Sequence, residues 1–142
     1  MEGEAWHGPS LHETLAEVSA ETAAARPLAD AHTVWEIALH IGAWLSGVRR
    51  RLDGHPVELS PEQDWPAMGE TSEAAWDRTR ASLDRQYREL YDAVRGLSGE
   101  SLERIVPGRD YTVYFMLHGV IQHVLYHTGQ LALLRRASPK PI

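Results

Sequence analysis

Between Val113 and Leu134 the chain carries no Asp, Glu, Lys or Arg, and no other stretch limits the fold as strongly. As a helix rising about 1.5 Å per residue it is long enough to cross a bilayer. It also holds three histidines, two glutamines, a threonine and two glycines, so the better expectation is a soluble helix packed against protein on most sides. At about 100° per residue, His123 and His127 stand one above the other on a single face, with Gln130, Met116 and Leu134 close by. His118 points roughly 140° away from that face. Two imidazoles at i and i+4 on an uncharged helix can offer two nitrogens to one metal ion.

Capping signals divide the rest of the chain. Ser10-Leu-His-Glu13 has the Ser-x-x-Glu form of a capping box and predicts a first helix from about Ser10 to Ala25, ending before Pro27. Thr33-Val-Trp-Glu36 is a second box, opening an apolar run that should end near Asp53-Gly54 with arginines in its last turn. Residues 54 to 71 are rich in Pro, Glu, Asp and Gly and surround Asp64-Trp65-Pro66. Ser60-Pro61-Glu-Gln63 can cap one turn there, and Trp65 is expected to pack down, so the segment reads as an ordered connection suited to covering a site. A third helix from about Ser72 to Arg95 has Trp76, Leu83, Tyr87, Leu90 and Val94 as its apolar stripe. After Gly96, Gly99, Pro107 and Gly108, with one possible turn between Ser101 and Val106, a fourth helix runs from about Thr112 to Ala137. The fold class is therefore all-α: one domain over residues 1–142, a four-helix bundle with a long ordered connection between helices 2 and 3.

Composition removes several classes of function. The net charge of −6 argues against a nucleic-acid surface, and three consecutive arginines at a helix end make no groove. With no cysteine, disulfides, thiolate metal sites and a cysteine nucleophile are excluded. The start Met-Glu-Gly-Glu-Ala-Trp lacks the basic residues and apolar run of a signal peptide, which fits a cytoplasmic protein.

A third imidazole lies in helix 2. His40 sits in the apolar run, with Glu36 one turn before it and Trp44 one turn after on the same face. If helices 2 and 4 turn their least charged faces together, His40, His123 and His127 meet in the bundle interior. Three neutral imidazoles with an open position describe a catalytic metal site better than a structural one, which is usually closed by four protein ligands. Gln130 and Glu36 are the nearest groups to fix the ring tautomers. Glu36 has two readings: the return hydrogen bond of its capping box, or a general base near the ion. The segment from His123 to His127 lacks the glutamate of an H-E-x-x-H protease helix, so peptide hydrolysis of that type is not expected. His7, His12, His32, His55 and His118 read as surface, turn or loop residues. Trp35, Trp65 and Trp76 read as core, and Trp44 as a pocket wall.

The two histidine segments, Thr33-Val-Trp-Glu-Ile-Ala-Leu-His40-Ile-Gly-Ala-Trp44 and Gly119-Val-Ile-Gln-His123-Val-Leu-Tyr-His127-Thr-Gly-Gln130, resemble those of the DinB/YfiT-like superfamily of metal-dependent proteins. Trp6-His-Gly-Pro9 and Asp64-Trp-Pro66 look like supporting features of one branch. The resemblance implies an up-down-down-up four-helix bundle, often homodimeric, holding a divalent metal (zinc, nickel, iron or manganese) on His40, His123 and His127. Relatives include S-transferases that use low-molecular-weight thiols such as bacillithiol or mycothiol, and a mycothiol-dependent maleylpyruvate isomerase. A DNA polymerase that shares the DinB name is unrelated.

Three functions follow. The first is a metal-dependent enzyme acting on a small molecule, by S-transfer from a dissolved thiol or by hydrolysis. The second is a non-catalytic metal- or ligand-binding stress-response protein that works as a dimer. In the third, the histidines are core hydrogen-bonders with no metal. None involves nucleic acid or a membrane.

Overall fold

The computed structural model describes residues 8–138. Its helices are α1 (Leu11–Ala16), α2 (Ala20–Ala24), α3 (Val34–Leu52), α4 (Pro61–Asp64), α5 (Glu73–Arg95), α6 (Gly99–Leu102) and α7 (Val113–Ala137). Among the described residues the only β-pairing is an isolated bridge between Ile105 and Thr112. Each helix begins on a serine or threonine whose hydroxyl accepts a backbone N–H of the first turn. Both expectations from the Ser-x-x-Glu and Thr-x-x-Glu patterns hold, because Ser10 with Glu13 and Thr33 with Glu36 close reciprocal capping boxes. Such caps stabilise a helix by about 1 kcal/mol each.

The expected first helix is broken in two. Trp76, fully buried, donates its indole N–H to the carbonyl of Val18 at 2.6 Å, and Ser19 then caps a new helix. A tertiary hydrogen bond thus captures a carbonyl that a continuous helix would have used, a competition that a capping pattern at Ser10 cannot reveal. α3 ends as expected: Gly54 takes φ +92°, and the His55 N–H returns to the Arg50 carbonyl.

α3 is the hub. It packs on α5 and α7, while α1 packs on α7, and α2 on α3 and α5. The core threads from Leu11 and Leu15 through Trp35, Ile41 and Leu45 to Trp76, Leu83, Met116, Leu131 and Leu134. Burying side chains of this size contributes about 1.5–3 kcal/mol each.

One expectation fails. α7 does not lie against protein on most sides, and the chain does expose an apolar face. Tyr114, Phe115, Ile121, Leu125, Tyr126 and Leu133 are exposed along α7, opposite the face formed by Met116, Val120, His127, Leu131 and Leu134. Absence of charge marks a surface that avoids desolvating ions; it does not say that this chain alone covers it.

Candidate metal centre

Three imidazoles converge where α3 crosses α7. His40 comes from the buried face of α3, and His123 and His127 from successive turns of α7. His40 Nε2 and His123 Nε2 are 2.9 Å apart, and the ring centroids of His127 lie 4.7 Å from His40 and 4.5 Å from His123. One nitrogen from each ring falls within 4.8 Å of the others. His40 and His127 are buried, and His123 is half-buried.

The outer nitrogens show how two of the rings are set. His40 Nδ1 lies 2.7 Å from the backbone carbonyl of Asp64 and 3.1 Å from its Oδ1. Both are acceptors, so His40 carries its proton on Nδ1 and turns an Nε2 lone pair toward the cluster. Asp64 is itself held, its Oδ1 accepting the Trp44 indole N–H at 2.6 Å. His127 Nδ1 is 2.6 Å from Gln130 Oε1, the same arrangement with a side-chain amide. His123 differs, because its Nδ1 is buried with no hydrogen-bond partner.

Electrostatics favour the neutral form of the two α7 rings. Burial, reinforced by the neighbouring His127 and His40, pushes the His123 pKa down to about 4. Burial also lowers that of His127, against an opposing contribution from its bond to Gln130. Neutral imidazole is the form that binds metal.

Trp65 roofs the site. Its ring stacks on His40 at 3.9 Å and 6° and, from the other side, on His32 at 3.6 Å and 9°. Trp44 forms another wall, its ring 5.5 Å from that of His123.

Of the groups expected to orient the ligands, Gln130 does so and Glu36 does not. The Glu36 carboxylate accepts the Thr33 N–H at 2.7 Å, pairs with Arg26 at 2.8 and 3.0 Å, and lies 3.3 Å from His32 Nδ1. It is therefore a cap and an ion-pair partner, and it lies outside the histidine group. Its expected place is taken by Asp64, which sequence reasoning passed over. The signal was present in a Ser-Pro cap followed by Asp-Trp-Pro in a long connection. Helical spacing, however, points only to neighbours on the same helix. His32, read as a turn residue, also belongs to the site's edge through its stack on Trp65. His12 lies 3.6 Å from Asp84, His118 packs against Tyr114 with the rings tilted, and His55 is exposed in its loop. Trp6 and His7 lie outside the described residues. Trp35 and Trp76 are core, their rings 5.0 Å apart.

The donor set fits a divalent metal. Two nitrogens bound to one ion at about 2.0–2.1 Å stand roughly 3 Å apart, as His40 and His123 do.

An α-helical bundle that directs three histidines from two packed helices to one point defines a class of histidine-triad helical proteins. The model of the DinB superfamily matches residues 5–131, most of the chain, and the protein belongs to that superfamily. No curated protein and no solved structure matches it. Among the described residues, no helix is long and apolar enough to cross a membrane.

Proposed function

We propose that the protein is a divalent-metal-dependent enzyme acting on a small molecule, by thiol-dependent S-transfer or by hydrolysis, with His40, His123 and His127 as the metal ligands. The observation that carries this reading is the convergence of three imidazoles, two of them locked in tautomer by Asp64 and Gln130. A divalent ion held there would act as a Lewis acid, lowering the pKa of a thiol or water at an open position. The chain's own groups orient the ligands and, through the Trp65 roof and the Trp44 wall, limit the access of solvent. With no cysteine in the chain, a thiol nucleophile would come from solution as a low-molecular-weight co-substrate.

The working unit in this proposal is a homodimer formed through α7. Its exposed apolar arc carries no charge from Val113 to Leu134, so two copies can pair this face without like-charge repulsion.

Elemental analysis of untagged protein beside a His123→Ala variant tests the centre. Bound zinc, nickel, iron or manganese that is lost in the variant supports it, and equal metal content in both refutes it. Metal-loaded protein that turns over no member of a panel of thiols with electrophiles, and hydrolyses no ester or amide, would reduce the protein to a non-catalytic metal binder.

A further inference from the structure

Four tryptophans lie among the described residues, and three of them anchor their indole N–H. Trp35 donates to Thr79 Oγ1, Trp44 to Asp64 Oδ1 and Trp76 to the Val18 carbonyl. Trp65 is the exception. Its backbone N–H goes to the Pro61 carbonyl at 2.9 Å, but its indole N–H has no partner among the described residues. The ring is held by its faces instead. One face lies on His40, 3.9 Å away and 6° from parallel, and the ring stands edge-to-face with His127 at 6.2 Å. The other face carries His32, at 3.6 Å and 9°. The indole is thus sandwiched between an imidazole of the candidate centre and one outside it.

His32 is exposed and lies outside the histidine group, so neither core packing nor metal ligation accounts for its place. That place is nevertheless closely set. Its Nδ1 is 3.3 Å from Glu36 Oε2, and a carboxylate oxygen only accepts, so Nδ1 carries the proton. Arg26 holds the same carboxylate at 2.8 and 3.0 Å. Both chain neighbours of His32 are tied as well. Ala31 donates its N–H to the Leu28 carbonyl and accepts from Arg26, and Thr33 donates its N–H to Glu36 Oε2 at 2.7 Å. Ordering an exposed side chain this far costs conformational entropy, which the contacts of its ring must offset.

We propose that His32, held by Glu36 and Arg26, is a positioning residue that clamps the Trp65 ring over His40 and so sets how freely solvent and small molecules reach the histidine group. This deepens the enzyme reading and rests on it for what passes the roof, but the clamp itself needs no metal. None of Arg26, His32, Glu36 and Trp65 lies on α7, so the proposed dimer face takes no part. A ring stack of this kind shifts the balance between a closed and a swung-out ring by about two- to tenfold.

Fluorine NMR of metal-free protein labelled with 5-fluorotryptophan reads the ring directly, with Trp65→Phe assigning its resonance. Because His32 is exposed, His32→Ala leaves no cavity in the core. It should move the Trp65 resonance toward that of free fluorotryptophan and enlarge its shift between H2O and D2O, while those of Trp35 and Trp76 stay in place. His32→Phe restores a ring without the bond to Glu36 and should return Trp65 to the parent position. Zinc-loaded protein mixed with an excess of a chromophoric chelator should lose its metal about three- to tenfold faster in His32→Ala and within about twofold of the parent rate in His32→Phe. An unmoved Trp65 resonance in His32→Ala, no restoration in His32→Phe, or an exposed Trp65 without faster zinc loss would each overturn the proposal. Zinc uptake separates the two readings. The Trp65 change in protein that takes up no zinc keeps the clamp and removes the metal centre. Zinc uptake with an unmoved Trp65 resonance keeps the metal centre and removes the clamp.

Discussion

Gln130→Ala tests whether the proposed metal centre depends on its outer hydrogen bonds or only on packing. Gln130 Oε1 is 2.6 Å from His127 Nδ1 and fixes which nitrogen of that ring is bare. Removing one neutral hydrogen bond costs about 0.5–1.5 kcal/mol, and loss of an outer partner at metal sites typically lowers affinity 10- to 100-fold. Since every 1.4 kcal/mol is about tenfold, the lower end of that range, near tenfold, is expected for a neutral amide. Gln130→Glu should not weaken binding, because a carboxylate at the same position makes the histidine a stronger donor. Competition against a chromophoric chelator at fixed pH and ionic strength measures both variants, with thermal unfolding as a check on folding. If Gln130→Ala binds metal within about twofold of the parent, the ring is oriented by its neighbours and the argument from outer hydrogen bonds is wrong.

Glu36→Gln should lower thermal stability while leaving metal content unchanged, since that carboxylate serves the α3 cap and Arg26. Burial pushes the Glu36 pKa up, but the Thr33 N–H and Arg26 outweigh it and hold the group below its ordinary 4.5. The stability it contributes is therefore complete above about pH 4.5 and lost as the pH falls through the lower folded value, so the variant should show a shallower acid-unfolding profile. Replacing Ile121 and Leu125 together by glutamate places four like charges on a two-fold α7 interface, and sedimentation should then show a monomer where the parent is a dimer; a parent that is already monomeric removes the dimer proposal. Trp76→Phe strands the Val18 carbonyl and leaves a void, for a loss of about 3 kcal/mol in denaturant unfolding.

How much of this was legible in the sequence depends on the range of the interaction. The helix starts were readable because a cap is made by residues three apart, and Thr33 with Glu36 makes it as spaced. His123 and His127 were readable for the same reason. Helical periodicity gave their common face, and the uncharged surroundings of His40 made α3 the natural source of the third ring. Long-range pairings left no such trace. Trp76 reaches Val18 to break the first helix, and Asp64 reaches His40, across separations that no local pattern encodes. Glu36 had two readings because two roles suited its position; it fills the cap, which with Arg26 added takes both its oxygens.

The accuracy of the centre accordingly resides as much in the connection after α3 as in the helices that carry the ligands. That connection is fastened from beneath. The buried Arg51 donates twice to the Val57 carbonyl, at 3.1 and 2.7 Å, Arg109 adds a third contact at 3.2 Å, and Arg51 also lies 5.6 Å from the Trp44 ring. A few residues on, the Ser60–Gln63 capping box fixes the single turn of α4, whose last residue is Asp64 and whose cap is Trp65. The Asp64 carbonyl therefore meets His40, and Trp65 closes over the same ring, because the chain is pinned on both sides of Leu59. A helix alone would deliver His40 with its ring free to turn and either nitrogen protonated. The fastened connection selects one tautomer and one orientation, the requirement a three-ligand site must meet before it binds an ion selectively.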